Sequence, residues 1–306
     1  MFSVRDVSHK FANKGNGKLI ELSESQIQQI QNITIDIYKD IMEACEKHGL
    51  YAILGGGSAL GAVRHHGFIP WDDDMDLMMS RQDFNKFMRI FNVELGEKYY
   101  LACPDYHYSD HHIYIAKVID KNSLRKDFFN LSKFLYEGIS IDIGAIDSVP
   151  DNPLLYYCKG CFSILLLFIT NSNMMYHCRT KISDFVFTRT IGSSFYYYSR
   201  MFLGFLSSVI PYKRWCFIFD KFIASHAQTN RLSIPSGRNH YFKETQPVGV
   251  FYPLKKIMFE GISSYVPNDV DEYLSRLYGN NYMVIPPEDK REKHLLTEFT
   301  ILSHKN

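Results

Sequence analysis

Two groups of residues between positions 54 and 79 have the types and spacing needed for chemistry. The first is a glycine-rich turn, Gly55 to Ser58, which follows a short apolar run. The second is a cluster of four aspartates within five positions: Asp72, Asp73, Asp74 and Asp76. A glycine turn that leads into a helix offers unpaired backbone N–H groups to a phosphate. Alternate residues of a strand share a face, so Asp74 and Asp76 should point the same way.

Two carboxylates on one face repel each other, and both stay ionised only when a cation lies between them. Mg²⁺ or Mn²⁺ suits such hard oxygen ligands and binds through one or two carboxylates together with substrate phosphates. A phosphate cradle beside a carboxylate metal site is an arrangement for phosphoryl transfer. We therefore predict that Gly56, Gly57 and Ser58 hold phosphates, with Ser58 opening the helix and offering its hydroxyl, and that Asp74 and Asp76 hold the metal. The alternative is a solvated acidic turn beside a purely structural glycine turn.

The same stretch resembles the signature of a known family. Gly56-Gly57-Ser58 followed by Asp74-Met75-Asp76 is similar to the pattern of the nucleotidyltransferase-fold superfamily, to which DNA polymerase beta belongs. The longer string from Gly56 to Asp76 resembles the LicD family, whose relatives include fukutin and fukutin-related protein. This resemblance extends over roughly residues 25–150 and 250–294.

The resemblance implies a phosphotransferase that moves a phosphorylated alcohol onto a sugar hydroxyl of a cell-surface glycan, such as lipopolysaccharide or teichoic acid. The donor would be CDP-linked, most often CDP-choline, and the glycan acceptor could be attached to a lipid. The motif leaves a second outcome open: a nucleotidyltransferase that adds a nucleoside monophosphate to a small or sugar acceptor and releases pyrophosphate. A non-catalytic scaffold is a third class, which the intact Asp74-x-Asp76 pair argues against.

The resemblance also implies a third carboxylate on a later strand. Asp142 matches it, within an alternation of Ile139, Ile141 and Ile143 with polar residues that is typical of a strand. It would bind metal or act as the general base toward the acceptor. Asp147 is the alternative, although Pro150 suggests that the strand has already ended there.

Three further residues are candidates for the site. Arg64 could hold a phosphate by a bidentate contact, or else form a surface ion pair. Lys117 is similar in position to a basic residue that the family carries near its substrate, but it could equally be a solvent-facing strand lysine. Asp72 belongs to the same acidic cluster and is included as a further metal ligand.

These residues must be positioned by an α/β (α+β) fold, with a nucleotidyltransferase-type mixed sheet, flanking helices and a helical insertion subdomain. A capping box at Ser23 and a C-cap at Gly49 predict a helix that ends near His48. Strands are predicted at 51–54, 74–79, 99–102, 113–120 and 139–144. The predicted organisation is a polar tail over 1–20, a catalytic core over 21–150, a helical, aromatic-rich insertion over 151–240, and a C-terminal segment over 241–306 that completes the core. This last segment is predicted to contain a hairpin over 259–267 and a stretch over 283–291 that extends across the surface.

Composition limits the partners. The net charge of the 306 residues is +1, which gives no electrostatic case for a nucleic-acid partner. Met1 to Leu19 lacks the apolar core of a secretory signal, and the longest apolar run, Ile164 to Ile169, is too short to span a bilayer. We therefore expect a cytoplasmic protein with reduced cysteines.

The aromatic insertion leaves two questions open. Its helices are expected to form a core around the sheet, with peripheral association on the inner face of the membrane as the alternative. Cys158, Cys161 and Cys178 could form part of a zinc site, but they are expected to be buried thiols.

Overall fold

The computed structural model describes residues 19–188, 190–291, 294 and 296–301. The predicted N-terminal tail therefore lies almost entirely outside the described residues. Within these ranges the chain forms ten α-helices: α1 Glu24–His48, α2 Gly56–His65, α3 Arg81–Glu94, α4 Pro153–His177, α5 Lys181–Phe187, α6 Ile191–Ser207, α7 Tyr212–Ile223, α8 His240–Glu244, α9 Val248–Phe251 and α10 Val270–Tyr278. The strands are β1 Ile53–Leu54, β2 Asp76–Ser80, β3 Tyr99–Ala102, β4 Ala116–Asp120, β5 Ser123–Asp127, β6 Ser140–Ser148, β7 Arg231–Ser233, β8 Gln246–Pro247, β9 Lys255–Phe259, β10 Ile262–Val266 and β11 Leu296–Ile301.

Helix α1 is built as its sequence predicts. Ser23 accepts a hydrogen bond from the Gln26 N–H, and the Gln26 side chain accepts from the Ser23 N–H, which together form the predicted capping box. Gly49 ends the helix in the left-handed region, at φ 63°. The buried side of α1 carries apolar residues at helical spacing, including Ile30, Ile37 and Ile41. This face packs into the main hydrophobic core beside the sheet.

The centre of the molecule is a mixed, nine-stranded sheet. Its main order is β3-β4-β6-β2-β1-β10-β9, and β7 and β8 extend it from β6. The pairs β2–β6 and β1–β10 are parallel, and the other pairs are antiparallel. This mixed sheet with flanking helices confirms the predicted fold class. The predicted C-terminal hairpin is also present, and its strand β10 lies beside β1.

The strand limits differ from those expected in ways that matter for the site. Strand β2 begins at Asp76, so Asp74 precedes the strand rather than lying on it. Strand β6 continues to Ser148, so the prediction that it ends before Asp147 is wrong. Strand β4 begins at Ala116, later than predicted. Strand β7 falls inside the range 151–240 assigned to the insertion, yet it pairs with β6 of the core sheet.

Helices α4 to α7 form the helical insertion. The expectation that they surround the sheet as a buried core is wrong for much of α4 and α6, where large apolar side chains such as Phe162, Phe195 and Phe202 are exposed. Helix α4 is also one continuous element of 25 residues, long and apolar enough by length and composition to cross a membrane. The apolar run at 164–169 therefore underestimated the length of this helix, because the helix continues through isolated polar residues on either side of the run.

A buried ion cluster joins this insertion to the core. The guanidinium of Arg81 is 3% exposed and donates to both carboxylate oxygens of Asp147, at 2.8 and 2.7 Å. Its remaining nitrogen donates to Asp220 on α7, at 2.6 Å. Asp147 is therefore committed to a structural contact, because its side chain points away from the cavity described below and into this ion cluster. It is not the third carboxylate of the site.

We predict that Arg81→Met lowers the free energy of unfolding by roughly 3–5 kcal/mol, because it leaves the buried Asp147 carboxylate without a counter-charge and leaves Asp220 only the half-exposed Lys221, at 3.8 Å. Urea denaturation measures this as a fall in the midpoint at constant slope. The matched control is Lys39→Met, which removes an exposed ion pair with Asp36 and should change stability by less than about 1 kcal/mol. Equal midpoints for the two variants would contradict this account of the cluster.

Candidate active site

The glycine turn lies directly against the first residue of β2. Gly55 is the N-cap of α2, and its N–H donates to the Asp76 carbonyl at 3.0 Å. The Asp76 N–H in turn donates to the hydroxyl oxygen of Ser58 at 2.9 Å. The expectation that Ser58 opens the helix and offers its hydroxyl to phosphate is therefore wrong. Ser58 is a buried third-position residue, and its hydroxyl fixes the turn to the aspartate strand.

The backbone conformation and the space at position 56 both favour glycine. Its φ of 43° lies in the left-handed region, and a Cβ there would stand 3.0 Å from the Asp76 carboxylate. A Cβ on Gly57 would stand 3.3 Å from the Asp72 carboxylate. The Gly56 N–H donates to the hydroxyl of Tyr273 at 3.1 Å, so it is already engaged. Helix geometry leaves the next N–H groups, of Gly57 and Ser58, without intrahelical partners and suited to an anion.

The parallel pairing of β2 and β6 brings two predicted aspartates together. Asp76 and Asp142 are direct register partners, and Asp142 is also the register partner of Lys117 on β4. The Lys117 ammonium donates to the Asp142 carboxylate in a partly buried ion pair. Burial, followed by the charges of Asp74 and Asp142, raises the pKa of Asp76 well above its usual value. The carboxylates are thus close enough to resist joint ionisation.

The remaining aspartates of the cluster have different surroundings. Asp72 lines the cavity beside Gly57, and burial together with the charges of Asp74 and Asp73 raises its pKa to about 8. Asp74 also lines the cavity, with 44% of its side chain exposed. Asp73 turns inward, where Arg125 lies 3.0 Å from one of its oxygens. Asp73 therefore supports the loop from behind, while Asp72 and Asp74 face the cavity.

These groups form the floor of a cavity of about 1140 Å³. Of the predicted site residues, the structure brings Gly56, Gly57, Arg64, Asp72, Asp74, Asp76 and Asp142 to its wall. Ser58 and Lys117 do not line it and act through Asp76 and Asp142 instead. A cavity of this size accommodates a nucleotide-linked molecule and part of a second substrate.

The C-terminal segment supplies residues that the sequence did not identify. It was expected to extend across the surface, but Lys290, Arg291 and His294 line the same cavity. His294 donates to or accepts from Asp73 at 2.5 Å, and this contact, against the opposing effect of burial, raises the pKa of His294 to about 9. The consecutive basic residues at 290–291 were the available signal, but nothing in the sequence indicated that they face the aspartates.

Trp71 connects this segment with α2. The Arg291 guanidinium lies 4.1 Å from the centre of the Trp71 ring, and the Arg64 guanidinium lies 5.9 Å from it. Arg64 also donates to the Tyr282 carbonyl at 2.9 Å. Arg64 thus lines the cavity as predicted, but one of its guanidinium nitrogens is already bound to the C-terminal segment.

The cavity wall next to the glycine turn is aromatic and contains a buried acid. Tyr273 and Tyr278 line it together with Glu244, and the Tyr273 hydroxyl accepts the hydrogen bond from the Gly56 N–H. Glu244 is 4% exposed, and burial raises its pKa to about 7. Its carboxylate accepts a hydrogen bond from the Asn239 N–H at 3.1 Å. This wall therefore offers aromatic faces and a weakly compensated carboxylate to a bound group.

The donor set was tested for its fit to a metal ion. In the part of the chain that the structure describes, no three His, Cys, Asp or Glu side chains form a ready-made metal cluster. Asp74 and Asp76 nevertheless converge on the cavity with Asp142, and their mutual repulsion is the condition that a bound cation relieves. A site that uses two carboxylates and substrate phosphates suits Mg²⁺ or Mn²⁺, which rarely rely on a complete protein cage.

Comparison with known proteins identifies the domain that carries this site. Residues 49–143 match the family described as LicD/FKTN/FKRP, nucleotidyltransferase domain. The chain therefore carries a nucleotidyltransferase domain of the LicD type. The matched segment runs from Gly49, at the end of α1, to Ile143 on β6, so it contains the glycine turn and all the aspartates at the cavity floor.

Full-length relatives extend the likeness beyond the LicD domain. The chain is 26% identical to the lipopolysaccharide cholinephosphotransferase LicD of Haemophilus influenzae, over 90% of this chain and 98% of that protein. It is 32% identical to the uncharacterised protein RT0683 of Rickettsia typhi, over 29% of this chain and 33% of that protein. With 90% of this chain covered, the overlap with the first relative extends well beyond residues 49–143 and includes most of the helical insertion.

The LicD site does not include the cysteines. Cys158 and Cys161 are exposed on α4, whereas Cys178 is buried at the far end of the same helix. Sixteen residues lie between Cys161 and Cys178, which places the two roughly 25 Å apart along the axis. The three thiols do not converge, so they form no zinc site with one another.

We predict that Gly56→Ala destabilises the protein by about 1–2 kcal/mol, since alanine is strained at positive φ and its Cβ would press on the Asp76 carboxylate. The control is Gly192→Ala in α6, where a Cβ meets nothing within 4 Å and the helix should gain roughly 0.5–1 kcal/mol. Chemical denaturation of both variants provides the comparison. A Gly56→Ala protein as stable as Gly192→Ala would show that the turn tolerates a side chain.

Proposed function

We propose that this protein is a LicD-family transferase that moves a phosphorylated alcohol from a CDP-linked donor onto a glycan hydroxyl, with phosphocholine from CDP-choline as the favoured donor group. The observation that supports it most is the convergence at one cavity floor of the Gly56–Gly57 turn with Asp76 and its register partner Asp142. A phosphate site beside paired carboxylates is what phosphoryl transfer requires. The Haemophilus relative, named as a lipopolysaccharide cholinephosphotransferase, supports the choice of group.

The roles follow from the geometry. The N–H groups at the start of α2 would hold the donor phosphates, and the cationic side chains of Arg291 and Lys290 would approach the same charges from the C-terminal segment. Asp74 and Asp76, with Asp72 and Asp142 as further candidates, would hold Mg²⁺ or Mn²⁺. The ion, when bound, would neutralise charge that develops on the phosphate oxygens.

Asp142 would act on the acceptor. Its carboxylate lines the cavity and is oriented by the Lys117 ammonium from the adjacent strand. In that position it could accept the proton of the attacking hydroxyl while the phosphorus–oxygen bond forms and CMP leaves. Lys117 would thus position the base rather than bind substrate directly, which changes the role first proposed for it.

The aromatic wall gives a physical reason to favour a cationic group. Quaternary ammonium groups bind to aromatic faces, and the rings of Tyr273 and Tyr278 lie beside the Glu244 carboxylate on this wall. An ionised Glu244 would add a direct charge attraction for choline. A neutral alcohol such as ribitol would gain neither cation–π contact nor charge attraction from this wall. The wall would therefore favour CDP-choline over CDP-ribitol.

The acceptor and the location are proposed together. Transfer from a CDP-linked donor to a growing glycan suits a cytoplasmic enzyme that meets lipid-linked sugars at the inner face of the membrane. The alternative reaction, transfer of a nucleoside monophosphate with release of pyrophosphate, would use the same carboxylates for attack on the α-phosphorus of a nucleoside triphosphate such as CTP.

One experiment distinguishes these reactions. The purified protein is incubated with a panel of CDP-choline, CDP-ribitol, CDP-glycerol and CTP, together with Mg²⁺ and a membrane glycan extract. Release of CMP from CDP-choline above the other donors is the expected result. Pyrophosphate release from CTP would favour nucleotidyl transfer, and the absence of both products would contradict a catalytic role.

We expect Asp76→Asn and Asp142→Asn each to lower kcat by at least about 100-fold, since each removes charge or a base that acts in the transition state. Both proteins should keep their fold, because the aspartates lie at the cavity wall. Asp36→Asn, at an exposed position of α1, is the matched control and should retain full turnover. Turnover by Asp76→Asn equal to that of the control would remove this residue from the mechanism.

A pH effect on donor binding should trace to Glu244. Its raised pKa of about 7 means that the carboxyl is largely neutral below pH 7 and ionised above it. Affinity for CDP-choline should therefore rise as the pH increases from about 6 to 8, and Glu244→Gln should remove that component of the pH dependence. Isothermal titration with CDP-choline and CDP-glycerol provides the measurement, because CDP-glycerol carries no cation and should show no difference between the two proteins.

A further inference from the structure

Helices α4 and α6 are built with polar residues inside and apolar residues outside. On α4 the buried positions include Gly160, Ser163, Thr170, Ser172 and Asn173. The exposed positions are occupied instead by large apolar side chains, namely Leu154, Leu155, Tyr157, Phe162, Leu165 and Phe168. This order is the reverse of that in a helix of a water-soluble core.

Helix α6 repeats the pattern. Its buried side carries Tyr197, Met201, Gly204 and Ser207. Its outer side carries Phe195, Tyr198, Phe202, Phe205 and Leu206, and Phe195 and Phe202 are 78% and 63% exposed. Both helices therefore present an apolar stripe to the outside along most of their length, and together they form one large surface.

The contacts between the two helices are also of the kind that helices make in lipid. Gly204 lies so close to α4 that a Cβ would stand 2.3 Å from the Ser172 carbonyl. Asn173 donates to the hydroxyl of Ser207 across the interface at 3.2 Å, and the Arg200 guanidinium donates to the hydroxyl of Ser172 at 3.1 Å. Small residues that permit close backbone approach, joined by side-chain hydrogen bonds, are typical of helix pairs whose outer faces meet hydrocarbon.

We propose that the outer surface of α4 and α6 docks on the hydrocarbon boundary of a lipid bilayer. Neither helix contains an Asp or a Glu, so no acidic group has to be desolvated on docking. Lys159 and Arg200 are only partly exposed, and Arg200 folds over the rings of Phe168 and Tyr196. Exposed tyrosines at the edges of such a surface suit the level of the lipid head groups.

The packing of α4 on the core indicates that it lies along the membrane rather than across it. Gly160 on its inner side is close to the ring of Phe242, and Leu167 lines the catalytic cavity. A helix that crossed the bilayer would have to leave these contacts. Opposite sides of α4 thus face the bilayer and the cavity, which would place the site within reach of a lipid-attached molecule. This docking does not depend on the proposed reaction.

A second copy of the chain is the competing occupant, but the composition of the surface argues for lipid. Obligate protein interfaces have their own polar rim and hydrogen bonds, whereas the polar groups of α4 and α6 are turned toward each other. The outer stripe is almost wholly Leu, Phe and Tyr. Such a surface suits a fluid hydrocarbon layer, which requires no specific partner geometry.

The test is flotation of the full-length protein with vesicles of phosphatidylethanolamine and phosphatidylglycerol, in the absence of donor and acceptor. We expect the unaltered protein to float with the vesicles. Phe202→Asp combined with Phe205→Asp should reduce the bound fraction by more than about tenfold, because two aromatic side chains no longer enter the apolar layer. Leu165→Asp on α4 should act in the same direction as an independent variant.

Val93→Asp is the matched control, since Val93 is 85% exposed on α3 and lies outside this surface. It should float like the unaltered protein, and circular dichroism and the unfolding midpoint should match for all variants because every altered side chain is exposed. The proposal would be overturned if the unaltered protein stayed monomeric and did not float. It would also be overturned if the unaltered protein did not float but formed a dimer that Phe202→Asp/Phe205→Asp dissociates. Equal flotation of all variants would be a third contradicting result.

Discussion

The parallel pairing of β2 with β6 is the constraint on which the site depends. It places the Asp76 carboxylate next to that of Asp142, and it does so in a fixed register, since a slip of one residue would turn one of them into the core. Repulsion between the carboxylates opposes this arrangement and raises the pKa of Asp76. The hydrogen bonds of Asp76 to Gly55 and Ser58, and the Lys117 ion pair with Asp142, hold the strands in place against it.

The rest of the cavity is assembled from parts of the chain that are far apart in sequence. The C-terminal segment reaches the acidic loop through His294 and Asp73, and it reaches α2 through the Arg64 bond to the Tyr282 carbonyl. Tyr273 on α10 occupies the first N–H of α2, which leaves the following N–H groups to an anion. The nucleotidyltransferase domain thus supplies the carboxylates, while the C-terminal part supplies the cations and the aromatic wall that face them.

The helical insertion places its apolar and polar side chains in the opposite way from the core. In the core, apolar side chains from α1, α3 and the sheet face one another, whereas α4 and α6 place their apolar side chains outward and their small polar residues inward. The Arg81 cluster with Asp147 and Asp220 ties the two regions together through buried charges. The two regions therefore differ in which side chains they expose, although buried charges connect them.

The sequence by itself determined the parts of the protein that depend on local order. The capping box at Ser23, the strand alternation around Asp142, and the glycine and aspartate motif were enough to predict α1, the mixed sheet and the carboxylates of the site. Motifs of this kind act through residues that are close along the chain, so spacing alone reveals them.

Only the tertiary structure decided which partner each side chain has. Ser58 proved to bind a backbone N–H rather than to open the helix, and Asp147 proved to belong to a buried ion cluster, because strands distant in sequence meet there. Arg291 and Glu244 joined the cavity through chain crossings that no local pattern encodes. Likewise, hydrophobicity predicted that α4 is a helix, but which of its faces meets the outside depends on how it packs against α6 and the core.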